Sequence, residues 1–207
     1  MIYATSPATF IAWLCPPVSR IPSWIRSLGL ALLGSALLTL SAKVHIPFWP
    51  VPMTMQTYAV AVLAMAYGMR LGVLTVALYI AEGAMGLPVF SGGGGLTYAM
   101  GTTGGFLMGF MIAAAVLGWL AERGWDRSFI NSLTAMVIAE GIIFACGATW
   151  LAHVLGVAKG LAFTQAFKLA LTLGVVPFVY GDVLKVLLGA LTLPAVWYAV
   201  KHMKGQE

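Results

Sequence analysis

Residues 176–197 read VPFVYGDVLKVLLGALTLPAVW, and Asp182 and Lys185 are the only charged residues in the run. Crossing a bilayer takes ~20 consecutive apolar residues, and this stretch meets that length. A charge inside such a run is costly unless it is paired or used. At i and i+3 the two side chains share one face of a helix. Asp182 would stand in the first turn, where the free backbone N–H groups favour an anion. Two readings are open: an ion pair that docks the helix end, or a polar patch on a ligand cavity. Ionisable residues within a membrane span commonly face the bundle interior or a water path. Phe178, Tyr180 and Gly181 beside the pair suit a tight ligand wall.

The rest of the chain has the same character. It has 207 residues, 61% hydrophobic and 8% charged, against roughly 25% charged in an ordinary soluble domain. So few charges cannot cover a water-soluble surface. The apolar runs are continuous rather than alternating, which argues against a membrane β-barrel. The expected fold class is therefore all-α, a polytopic membrane protein. The net charge of +5 comes from scattered loop and terminal residues, so a nucleic-acid partner is not expected. Cys15 and Cys146 form no disulfide or metal pattern.

Six spans are expected, at about residues 24–43, 55–69, 71–84, 106–121, 130–153 and 180–200. A proline-rich loop, HIPFWPVPMT (45–54), separates the first two, and its three prolines exclude a continuous helix. Between spans 3 and 4 lies GLPVFSGGGGLTYAMGTTGG (86–105), glycine-rich and uncharged. Irregular backbone at membrane depth survives only against protein or a cavity. This loop is expected to fold inward, partly re-entrant, and to line a site. Residues 154–175 are expected to hold a short amphipathic helix carrying Lys168. The division is an arm over 1–22, a six-helix membrane domain over 23–200 and a tail over 201–207.

Loop charges orient the spans. With both termini inside, the cytoplasmic segments carry Arg20, Arg26, Arg70, Arg123, Arg127, Lys201 and Lys204, and the outer ones Lys43, Lys159 and Lys168. The excess on one side favours cytoplasmic termini.

Several further residues are candidates. Thr54 and Gln56 stand where the proline loop enters span 2, as helix-cap residues or ligand contacts. Tyr79 and Trp150 lie near the outer face, as interface anchors, packing residues or cavity walls. Phe90, Ser91, Gly92 and Gly93 begin a flexible lip whose N–H groups suit polar atoms, but SGGGG lacks the Lys and Ser/Thr of a phosphate loop. Glu140 lies mid-span, where facing lipid would be costly. Its options are protonation, pairing across helices or an inner passage. His45, His153 and His202 occupy different elements and do not suggest a metal site. In span 1, Ala31 and Ser35 stand four apart beside Gly34, a spacing that permits close helix contact inside the bundle or with another membrane protein. No HExxH or G-x-S-x-G motif occurs, and an enzyme is not expected.

Three segments in order carry a family resemblance: PVPMTMQTYAV (50–60), YIAEGAMGLPVFSGGGGLTYAMGTTGGFLMGF (79–110) and LGVVPFVYGDVLKVLLGA (173–190). The chain resembles the BioY family, the biotin-binding membrane component (S component) of energy-coupling factor transporters, over about residues 25–200. The resemblance implies six helices in an S-component-like bundle of a bacterial cell membrane, with a biotin pocket near the extracytoplasmic face. Asp182, in a matching GD-x-x-K pattern, would accept from the ureido N–H groups, and Lys185 would support it. Loops after helices 1 and 3 would close over the ligand, which maps onto Thr54, Gln56 and the lip from Phe90 to Gly93. Ser91 and Gly92 are candidate contacts, and the resemblance leaves open which residue receives the valerate carboxylate. The implied partners are a membrane coupling subunit, met through the Ala31/Ser35 face, and two cytoplasmic ATPase subunits that hydrolyse ATP. No cofactor is implied on this chain itself. Alternatives are a self-sufficient biotin transporter, dimeric or ion-coupled, and a structural membrane protein with Asp182 and Lys185 as a docking pair.

Overall fold

Glycines and prolines set where the helices stop. In the computed structural model of the chain, residues 9–14 and 22–204 are described. Nine α-helices occur among them: α1 Phe10–Leu14, α2 Ser23–Lys43, α3 Gln56–Tyr67, α4 Met69–Ala84, α5 Leu96–Ala99, α6 Gly104–Ala121, α7 Phe129–Lys159, α8 Phe163–Gly174 and α9 Val179–Lys204. Pro22 precedes α2, and Gly68, at φ +82°, turns α3 directly into α4. Gly160, in the left-handed region, ends α7. The expected spans correspond to α2, α3, α4, α6, α7 and α9, and the expected amphipathic helix is α8. Most of the arm and the end of the tail lie outside the described residues. Within the arm α1 is helical, and α9 runs on into the predicted tail.

Four helices, α2, α6, α7 and the first 21 residues of α9, are long and apolar enough to cross a membrane by themselves. The 12-residue α3 reaches only about 18 Å and the 16-residue α4 about 24 Å, against a hydrocarbon core of about 30 Å.

Helix α6 is central. Two thirds of its apolar window is buried by protein, against 28% for each of the other three. Its small residues let α3, α4 and α7 approach closely. Gly118 lies against the Gly68–Met69 backbone, where a Cβ has no room.

Packing of α2 on α4 corrects one expectation. Ala31, Gly34 and Ser35 are buried in the bundle. A Cβ on Gly34 would strike Thr75, and the Ser35 hydroxyl donates to the Glu82 carboxylate. The Ala31/Ser35 face is therefore occupied by α4 and is not free for a partner. Leu32, Leu33 and Leu40 stand on the exposed side of α2 instead.

The proline loop also differs from a plain loop. His45–Ile46 (β1) pairs antiparallel with Met53–Thr54 (β2), in register His45 with Thr54 and Ile46 with Met53. The prolines at 47, 50 and 52 avoid the paired positions, so every N–H needed for the ladder is present.

The opposite end of the bundle is tied by polar groups. Glu122 accepts the Met69 N–H at 2.9 Å, which satisfies a free donor at the start of α4. Asp126, in a 3-10 turn over Trp125–Arg127, is fully buried and accepts from the Trp197 indole N–H of α9. The Arg127 guanidinium lies 4.8 Å over the same indole, and Phe10 meets it edge-on at 5.9 Å. Burial pushes the Asp126 carboxyl above its ordinary range, against the opposing pull of the Trp197 bond and the Arg127 charge.

Candidate functional site

At the end of the bundle that carries both long loops, α3, α6, α7 and α9 converge on a cavity of about 560 Å³, counting its mouth. Asp182 and Lys185 form one wall. They are 5% and 8% exposed, and Lys185 Nζ lies 2.7 Å from Asp182 Oδ1. The Thr57 hydroxyl on α3 also donates to Oδ1, at 3.4 Å. Both bonds fall on one oxygen. Among the described residues, Oδ2 has no protein partner.

Facing the pair are aromatic and apolar side chains: Phe106, Leu107 and Phe110 of α6, Ile143 and Phe144 of α7, and Phe178 before α9. Thr54, Gln56 and Thr103 add polar groups at the rim, and Phe90, Ser91 and Tyr98 form the lip. A mostly apolar cavity with a few convergent polar groups is the usual form of a small-molecule site.

The two loops are locked to the frame through Gln56 and Phe90. Gln56 is buried, and its Nε2 donates to the Tyr79 hydroxyl at 2.8 Å. Tyr79 donates onward to the Val89 carbonyl at 3.2 Å, and the Thr54 hydroxyl donates to Gln56 Oε1 at 3.2 Å. That chain ties the hairpin, α3, α4 and the glycine-rich loop. Phe90 stacks on Tyr98, with centroids 5.2 Å apart, and meets Tyr79 edge-on at 5.4 Å. Its ring fills the space where a Cβ on Gly83 would stand. Lys43 Nζ donates to the Phe90 carbonyl at 2.7 Å, and Thr102 donates to the Pro50 carbonyl at 2.9 Å.

Of the ten cavity residues expected from sequence, Asp182, Lys185, Thr54, Gln56, Phe90 and Ser91 line this cavity. Tyr79 does not; it stands behind Gln56 as its hydrogen-bond partner. Gly92 and Gly93 form the turn next to Phe90 without lining the cavity, the Gly93 N–H bonding the Phe90 carbonyl at 3.3 Å. Trp150 is the clearest correction. Its indole N–H donates to the Gly101 carbonyl at 2.8 Å, and the side chain lines a separate groove between α6 and α7 with Cys146 and His153. It anchors the end of the glycine-rich loop rather than the cavity. Thr57, Tyr98 and Thr103 were missed. Thr57 carried a usable signal, one residue from Gln56 in the proline-loop motif. Among the described residues no cluster of three His, Cys, Asp or Glu side chains could hold a metal.

Comparison with known proteins shows what the chain is similar to. The family model described as the BioY family matches residues 14–202. The biotin transporter BioY of Thermotoga maritima is 38% identical over 168 residues, covering 81% of this chain and 93% of that protein. The biotin transporter BioY of Rhizobium etli is 36% identical over 182 residues, covering 83% and 92%. Among solved structures, the S-component for biotin from an ECF-type ABC transporter is similar in fold, with a TM-score of 0.69 at 19% identity over 88% of this chain and 95% of that one. The family model spans most of the chain and these relatives cover more than four fifths of it, so the chain belongs to the BioY family.

Proposed function

We propose that this chain captures biotin from outside the cell and brings it across the membrane as the substrate-specific component of an ECF-type transporter. One observation carries the reading: a buried, paired carboxylate with an uncommitted oxygen, set in a wall opposite aromatic side chains. Biotin has a flat ureido head with two N–H donors, an apolar thioether ring and an anionic tail. Asp182 Oδ2 accepts from the ureido group, and such a charge-assisted bond penalises analogues lacking the donor. Lys185 orients the carboxylate through its 2.7 Å contact. Phe106, Phe110 and Phe178 pack on the ring system. Thr54, Gln56 and Ser91 give the rim its polarity, and Ser91 is nearest in chemistry to a carboxylate contact.

In this reading six helices cross the membrane over residues 23–200, flanked by the arm over 1–22 and the tail over 201–207. The shortness of α3 and α4 is made up by the hairpin and the glycine-rich loop, which dips partly into the membrane beside the cavity. Both termini face the cytoplasm, supported by the bias of Arg and Lys in the loops. The site is then extracytoplasmic, and release inward follows reorientation of the whole component. A membrane coupling subunit and two ATPase subunits, which bind and hydrolyse ATP, supply that motion. The chain itself performs no covalent chemistry.

Uptake of labelled biotin in cells lacking other biotin importers tests the reading. Uptake should require this chain together with the coupling and ATPase subunits. Full uptake with those subunits deleted would replace it with a self-sufficient transporter.

A further inference from the structure

The end of the bundle opposite the cavity carries cations that the function above does not use. Helix α6 is mostly covered by protein, and its exposed residues are Met108, Ile112 and Trp119. Spaced at i, i+4 and i+11, they form one outward line along the helix. Because α6 is long and apolar enough to cross a membrane and ends at Ala121, lipid meets this line. Trp119 stands near the helix end, where a tryptophan marks the boundary between hydrocarbon and headgroups. From Met108 to Trp119 the rise is about 16 Å, close to one leaflet's half of a hydrocarbon core of about 30 Å.

Arg123 closes the line. Its guanidinium carbon lies 3.6 Å from the centre of the Trp119 ring, and Nη1 donates to the Trp119 carbonyl at 3.0 Å. A guanidinium has five N–H donors in a planar fork that suits phosphate, and the bond to Trp119 engages one of them. Arg70 is exposed in the first turn of α4. The α4 and α6 backbones touch where Gly118 meets Met69, so Arg70 and Trp119 each stand one residue from that contact. The neighbouring carboxylates are turned elsewhere. Glu122 Oε1 accepts the Met69 N–H, and Asp126 is buried against the Trp197 indole. Among the described residues, neither Arg70 nor Arg123 has a carboxylate within ion-pair distance.

We infer that Arg123, Arg70 and Trp119 form a binding site for an anionic phospholipid. The phosphate meets the two guanidiniums, the glycerol region lies beside Trp119, and one acyl chain runs along Ile112 and Met108. Charge selects the headgroup: a net anion gains from both arginines, whereas a zwitterionic headgroup brings its own cation to the same place. The apolar line below the arginines favours a lipid over a soluble phosphate. Bound there, the lipid holds the α4–α6 end of the bundle at the membrane surface. The inference stands apart from the biotin reading and needs only that α6 spans the bilayer.

The test uses tryptophan fluorescence and lipids with brominated acyl chains, which quench an indole on contact. The full chain is placed in phosphatidylcholine vesicles that contain a small fraction of brominated phosphatidylglycerol, or the same fraction of brominated phosphatidylcholine. The difference between the parent and Trp119→Phe isolates the Trp119 signal from the seven tryptophans. Each arginine near a headgroup gives about a fivefold preference for the anion. Brominated phosphatidylglycerol should therefore quench Trp119 at a several-fold lower fraction than brominated phosphatidylcholine. Arg70→Gln with Arg123→Gln should bring the two lipids together, and Arg123→Lys, which keeps the charge, should retain part of the preference. Both arginines are exposed, so an unchanged helical circular dichroism spectrum shows that the lost preference is not lost fold. Lys159→Gln, at the far end of α7, also removes a positive charge and should leave the preference intact. Equal quenching by both lipids in the parent, a preference that survives without the two arginines, or the same loss in Lys159→Gln would overturn the inference. So would a preference abolished by inorganic phosphate at the lipid's own concentration, which would make the site one for free phosphate.

Discussion

Replacing Lys185 with methionine keeps the length of the side chain and removes its charge. Asp182 is then left 5% exposed, with Thr57 at 3.4 Å as its only side-chain partner among the described residues. Breaking a buried ion pair from one side costs about 3–5 kcal/mol, because the remaining charge stays desolvated. For a chain of this size each kcal/mol shifts the melting point by about 2–4 °C, so Lys185→Met should melt roughly 6–20 °C below the parent. Adding Asp182→Leu removes the stranded charge and should recover most of that loss, because apolar replacement of a whole buried pair is close to neutral. Thermal unfolding in one detergent without ligand, on the parent, both single variants and the double variant, gives the coupling. If Lys185→Met melts with the parent, or the double variant is worse than either single one, the pair is not the buried, mutually dependent unit described here.

Other outcomes follow from the same geometry. Gly83→Ala puts a methyl group where the Phe90 ring lies; it should cost about 1–3 kcal/mol by overpacking and speed biotin dissociation in a stopped-flow chase. Gln56→Leu strips Tyr79 and Thr54 of a partner, leaving buried polar groups unmet at about 1–3 kcal/mol, read as a lowered melting point and weaker biotin binding. Asp126 has a folded-state carboxyl raised by burial from 3.8. The folded chain therefore binds that proton more tightly than the unfolded chain does. The resulting stability is fully present below the ordinary carboxylate value and is lost as pH rises through the raised one. Asp126→Asn should flatten this part of the melting-point profile; an unchanged slope would refute it.

The sequence foretold much of the helical layout because apolar run length and punctuation by proline, glycine and arginine are local properties. Span 1 was expected at 24–43, and α2 is Ser23–Lys43. Asp182 and Lys185 stood out because charge in an apolar run is conspicuous. Long-range partners were hidden. Thr57 meets Asp182 across 125 residues, and no local pattern announces that contact. The small-residue face of α2 has the same spacing whether it meets α4 or another protein, so only the packing of Gly34 on Thr75 decides. Trp150 misled because a tryptophan near a helix end suits a cavity wall as well as a loop anchor, and its bond to Gly101 lies 49 residues away. The hairpin escaped notice because prolines at 47, 50 and 52 dominate a stretch whose pairing residues lie outside them.

The measurement closest to the central claim is equilibrium binding of labelled biotin to the detergent-purified chain, with Asp182→Asn beside it at matched fold and concentration. The account predicts saturable binding, competed by unlabelled biotin, that falls by at least about tenfold in Asp182→Asn, since a hydrogen bond to a charged acceptor is worth about 1.5–3 kcal/mol. A well-folded parent that binds no biotin, or a variant that binds as tightly as the parent, would contradict it.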